Sequence, residues 1–215
     1  MIHVDLQPEP AHFNADVRIP GNRFLARCPN PTNKQWNKER HWKNISSDLY
    51  CAYSGICAYT GLWFSKSVTA VSVDHFFPKH SHPEKAYEWD NYRLTTQIMN
   101  TYKDEFIIAD PFEITNGDII LDFPSCLVKV NPQLPAAMKS KLQFTIDALK
   151  LNSSDDQVQA RCDIVVDYVN GEINQQHLWK RYPFIAYELQ RQNLFERIKD
   201  IIKPLQLLSY TYRSL

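Results

Sequence analysis

Apolar residues recur along this chain with two different periods, and the change from one to the other divides it. Between residues 62 and 73 the run LWFSKSVTAVSV is short and increasingly β-branched, which predicts a buried strand over Val68 to Val73 with Leu62 to Ser67 as its hairpin partner. Phe76 and Phe77 add bulk beneath the strand end, and Pro78 stops the strand. The polar segment from Lys79 to Glu88, carrying His80, His82 and Pro83, predicts an exposed loop. From Leu94 the spacing lengthens to three and four: Leu94, Ile98, Thr101 and Glu105 fall near one stripe of a helix over Leu94 to Phe106.

Later elements are mostly helical. Phe112 to Ile114 and Asp118 to Phe123 flank Asn116 and Gly117, a type I′ hairpin signal. Pro124, Pro132 and Pro135 mark an irregular connection, after which a helix is predicted from Ala136 to Leu151. A second helix opens on Ser154 and Gln157 as a capping box, carries Val158, Cys162, Val165 and Val169, and is interrupted by Gly171. A last one runs from about Phe184 to Lys203, stopped by Pro204, with Arg191, Arg197 and Lys199 on its polar face. The fold class is therefore α+β. Three segments follow: an N-terminal basic and aromatic arm over 1–50, a central core with its hairpin over 51–124, and a helical region over 125–215 packed on that core as one globular unit.

Composition narrows the class. With 44% hydrophobic and 13% aromatic residues in 215, the chain has enough apolar surface for a sizeable core. The five cysteines, Cys28, Cys51, Cys57, Cys126 and Cys162, are odd in number and unpaired by spacing, which points to a reducing, cytoplasmic setting. MIHVDLQPEP has no apolar signal-peptide stretch, and no run reaches the length of a membrane span.

Charge balances overall, with 24 basic and 24 acidic residues, but not locally. Arg18 to Lys43 holds seven basic residues against one acid, Glu39, interleaved with Trp36, His41 and Trp42. Basic groups beside aromatic ones suit phosphate neutralisation and base stacking, and Arg23, Lys34, Lys38 and Lys43 are the candidates. The same pattern also describes a solvated arm whose tryptophans anchor it to a core.

The candidate chemistry lies between 73 and 105, VDHFFPKHSHPEKAYEWDNYRLTTQIMNTYKDE. Asp74 and His75 stand at the strand end, Asn91 follows sixteen positions after the histidine, and Asn100 nine after that. Taken singly, these residues have ordinary readings: a surface or core histidine, and an asparagine capping a helix. In order and spacing, Asp74, His75, Pro78, Trp89, Asn91, Asn100 and Lys103 together resemble the HNH, or ββα-metal, nuclease motif.

The resemblance implies a metal-dependent endonuclease acting on DNA. By it, His75 is the general base, a role its side chain suits near neutral pH. Asp74 and Asn100 hold one Mg²⁺ or Mn²⁺, hard cations that take oxygen ligands and keep waters of their own. Asn91 pins the loop and orients the histidine, Lys103 meets a phosphate one turn beyond Asn100, and Lys79 joins the nucleic-acid contacts. Many members of the family hold a structural zinc on two CxxC pairs, but the corresponding positions here read CAYT (57–60) and TQIM (96–99). No structural zinc is expected, with Tyr59, Trp63, Ile98 and Met99 as apolar replacement. CAY, DHFFPK and WDN further resemble stand-alone HNH proteins, some of which partner an ATPase in Septu-like bacterial anti-phage systems. The competing expectation is an inactive nucleic-acid-binding or assembly subunit of such an ATPase–nuclease complex.

Overall fold

In the computed structural model, which describes residues 1–202, the N-terminal segment is helical and packed. A π-helical turn (Asn14–Arg18) runs into α1 (Ile19–Arg27). Then come α2 (Asn33–Trp36), a 3₁₀ turn (His41–Ile45) and α3 (Ser46–Ala52). Phe13, Val17, Phe24, Trp36, Trp42 and Ile45 are all buried, so the aromatic members of the basic run point inward while Arg23, Lys34, Lys38, Arg40 and Lys43 stay exposed. Gly21 lets α1 pass directly over Tyr87, since a Cβ there would stand 2.2 Å from the ring. Trp36 and Trp42 thus anchor this run to the core.

The centre of the chain is a strand–strand–helix unit. β1 (Val71–His75) pairs antiparallel with β2 (Tyr92–Thr96), with Val73 opposite Leu94, Asp74 opposite Arg93 and His75 opposite Tyr92. The pairing corrects the expected hairpin, because Leu62 to Ser67 forms no strand: its one β contact is an isolated Ile56–Trp63 bridge, and Phe64 joins the core instead. α4 (Gln97–Lys103) follows without a linker; Thr96 caps it by accepting the Met99 amide at 3.3 Å. Leu94 thus belongs to the strand, and the buried side of α4 is Met99 and Lys103. Ile98, Thr101 and Glu105, expected near one stripe with Leu94, are exposed.

The second sheet also differs from expectation. β3 (Ile119–Asp122) pairs with β4 (Leu127–Val130), turning at 123–126 with Cys126 at φ +53°. Phe112 does not join a strand because its ring lies under the Arg93 guanidinium, 3.5 Å from the ring centroid, beside the buried Arg93–Asp110 ion pair. α5 (Ala136–Ala148) and α6 (Asp155–Asn170) match the helical reading, and α6 ends on Gly171 in the left-handed conformation at φ +78°. The Ser154 side chain makes no capping hydrogen bond. α7 (Gln175–Arg181) and α8 (Pro183–Arg191) follow; the helix expected from Phe184 breaks after Arg191, with Asn193 at φ +55°, and helical backbone resumes over 198–202. Lys203 and Pro204 lie outside the described residues.

The architecture is mixed α and β with two small antiparallel sheets. Buried residues from all three segments, from Phe13 through Leu94 to Leu189, join one apolar cluster. Among the described residues no helix is long and apolar enough to cross a membrane.

Candidate functional site

Among the described residues β1 has β2 on one edge only, and a cleft of about 790 Å³ runs along the other. Successive strand residues point to opposite faces, yet every residue from Ala70 to His75 lines this cleft, because it wraps the free edge. α4 forms one wall with Asn100, and the 3₁₀ turn and α2 form the other with Trp42, Lys43 and Trp36. Asp74, His75 and Asn100 therefore share one opening.

The His75 ring is buried between Trp42, at 4.6 Å and 88°, and Tyr92, at 5.2 Å and 83°. Its Nε2 lies 3.0 Å from the Ala86 carbonyl oxygen. A carbonyl only accepts, so Nε2 carries the hydrogen and Nδ1 keeps its lone pair. Among the described residues Nδ1 makes no hydrogen bond, and Trp36 Nε1 is the fully buried side-chain polar atom left without one, so Nδ1 reaches the cleft. Burial, helped by the charge of Lys79, pulls the His75 pKa down to about 3. The imidazole is neutral at physiological pH, which corrects the expected near-neutral basicity: burial and the Lys79 charge disfavour the imidazolium in the free protein.

Asn91 supports this arrangement from behind. Its Oδ1 accepts the Phe77 amide at 2.8 Å, and its Nδ2 donates to the carbonyls of Phe77 at 3.1 Å and Lys85 at 3.0 Å. Both ends of the loop between the strands are thereby tied together, and the Ala86 carbonyl is carried to His75. Asn91 is 2% exposed and does not line the cleft, so it positions the histidine without touching a substrate.

Asp74 is buried, and its Oδ2 accepts the Tyr59 hydroxyl and lies 3.5 Å from Lys103 Nζ. Burial raises its pKa, with the Lys103 charge opposing. Oδ1 takes no hydrogen bond among the described residues and is not a fully buried orphan, which leaves it to the cleft. Asn100 donates from Nδ2 to Ser72 Oγ at 2.7 Å, so its Oδ1 is the free end. The described residues contain no group of three or more His, Cys, Asp and Glu side chains that would cage a metal. A hard cation that retains water needs no cage, and carboxylate and amide oxygens are the kinds of ligand it takes.

Lys103 requires a correction. It is 0% exposed, and its ammonium donates to the carbonyls of His75 at 2.7 Å and Phe76 at 2.9 Å, so it is used up inside the fold and does not meet a phosphate. Lys79 and Lys43 do line the cleft, whereas Arg23, Lys34 and Lys38 do not. Arg40, in the basic run but not among the candidates, lines it as well, opposite Asp104 and Glu105. Tyr59 was expected only as apolar packing, and Ile98, its expected companion, is 44% exposed. Nothing in CAYT announces the hydroxyl contact with Asp74.

Compared with known proteins, the chain matches no family model and no curated sequence.

Proposed function

We propose that this chain is a metal-dependent endonuclease of the HNH type that hydrolyses phosphodiester bonds of DNA. The observation that carries the reading is a neutral histidine whose free Nδ1 opens on the same cleft as the free oxygens of Asp74 and Asn100. His75 takes the proton of the attacking water at Nδ1, while its Nε2–H stays fixed on Ala86, so the imidazolium that forms is held by the same carbonyl. Asn91 keeps the loop, and hence that carbonyl, in place. Arg40, Lys43 and Lys79 supply positive charge along the cleft for the nucleic-acid backbone. Asp74 and Asn100 would hold Mg²⁺ or Mn²⁺, which supplies charge neutralisation at the phosphate and at the leaving 3′ oxygen.

Supercoiled plasmid incubated with the purified chain and Mg²⁺ should be nicked, with 5′-phosphate ends, and a chelator should stop the reaction. Absence of nicking under any divalent cation, with DNA binding intact, would favour the second reading: an inactive nucleic-acid-binding or assembly subunit working with an ATPase. That alternative draws on one observation, the partial neutralisation of Asp74 by Lys103. A role in bacterial anti-phage defence beside an ATPase rests on the resemblance of CAY, DHFFPK and WDN. Co-purification with the product of a neighbouring ATPase gene tests it.

A further inference from the structure

The ammonium of Lys103 is fully buried on the inner face of α4, with three oxygens around it: the carbonyls of His75 and Phe76 and Oδ2 of Asp74 at 3.5 Å. A buried ammonium needs a counter-charge, and Asp74 is its ion-pair partner among the described residues. The Tyr59 hydroxyl binds the same carboxylate oxygen, so Oδ2 is committed to the protein while Oδ1 faces the cleft. The buried pair carries no net charge at the place where a divalent cation would bind.

We propose that Lys103 is the resident counter-ion of Asp74, and that its charge makes the chain alone a weak holder of a divalent cation. The proposal rests on the reading of Asp74 and Asn100 as cation ligands. Those two residues offer one oxygen each, far short of the six a Mg²⁺-like ion takes, and Lys103 offsets the one negative charge among them.

The test is Mn²⁺ binding to the full chain with no nucleic acid present, followed by electron paramagnetic resonance of the free ion, in wild type and Lys103→Gln. Glutamine keeps an N–H donor near the two carbonyls and removes the charge. The variant should bind Mn²⁺ about tenfold or more tightly than wild type, the effect of deleting one unit charge a few ångströms away at an intermediate dielectric. It should also melt lower than wild type in chelator and be restored by Mn²⁺. A lysine that is merely structural would lower the melting temperature and leave Mn²⁺ affinity unchanged or weaker, and that result overturns the proposal alone. If neither protein binds Mn²⁺ even with a duplex oligonucleotide present, the reading of the metal site falls and the proposal with it. Should Lys103→Gln not fold, the double variant with Asp74→Asn decides: recovery of the fold supports the pairing, and failure to recover overturns it.

Discussion

The imidazole of His75 stands edge-on against the indole of Trp42, ring centroids 4.6 Å apart and planes at 88°. Trp42 comes from the basic N-terminal run and His75 from the end of β1, so the segment that carries the exposed cations also builds the wall against which the proposed base is held. Trp42→Ala should cost about 3–5 kcal/mol of stability, the range for emptying a buried aromatic site. Trp42→Phe fills most of that space, so it should stay folded yet cleave more slowly through a loosened histidine. Denaturant unfolding and single-turnover rates on the two variants check both statements; unchanged cleavage in a folded Trp42→Phe would show that the contact is packing alone.

Asn91 predicts a different pattern. Asn91→Ala leaves the Phe77 amide and carbonyl without their partner, while the Lys85 carbonyl keeps the Glu88 amide, at about 0.5–1.5 kcal/mol for each lost bond. Cleavage should fall with DNA affinity nearly unchanged, because the side chain does not reach the cleft. A variant that loses affinity and rate together would place Asn91 in substrate contact.

How much of this was legible in the sequence varies from residue to residue. Asp74, His75 and Asn100 are singled out by their order and spacing, which resemble the HNH motif, and the structure brings them to one cleft. Lys103 could not be placed correctly: one turn from Asn100, its spacing fits a phosphate contact, but only the packing of α4 on β1 turns its ammonium toward the carbonyls of His75 and Phe76. Leu94 reads as helical in the sequence because a strand that leads directly into a helix leaves no break in the apolar pattern, and the boundary is set by the Thr96 cap. Asn116–Gly117 is a good turn signal that the fold uses ahead of β3, because Phe112 is taken by Arg93 and LVKV supplies the strand partner instead.

The same selection applies to the basic run. Of its exposed members, Arg40 and Lys43 line the cleft, while Arg23, Lys34 and Lys38 do not. Charge reversal at Arg40 and Lys43 should weaken duplex binding and flatten its log–log salt dependence by about two units, roughly 0.9 for each lost phosphate contact. Reversal at Arg23, Lys34 and Lys38 should change the slope little. Equal effects from the two sets, measured by fluorescence anisotropy across a salt series, would mean that the whole helical surface grips the backbone.

Stability against pH follows from the buried histidine. In the unfolded chain His75 takes up a proton near pH 6.5, and in the folded chain only near about 3. Between those values unfolding binds a proton, so metal-free protein should lose stability as pH falls through this window. In His75→Gln that contribution is absent and the acid limb of the stability curve should be flatter. The raised pKa of Asp74 acts with the opposite sign in both proteins and cancels in the comparison. Parallel curves for the two, from urea unfolding in chelator between pH 7 and pH 4, would contradict a neutral buried His75.

The most direct test is the single-turnover rate of Mg²⁺-dependent cleavage by wild type and His75→Ala at saturating protein. Removal of a positioned acid–base group should slow cleavage by about a hundredfold to ten-thousandfold, with folding and DNA binding retained. A His75→Ala protein that cuts at the wild-type rate would contradict the assignment of His75 as the base.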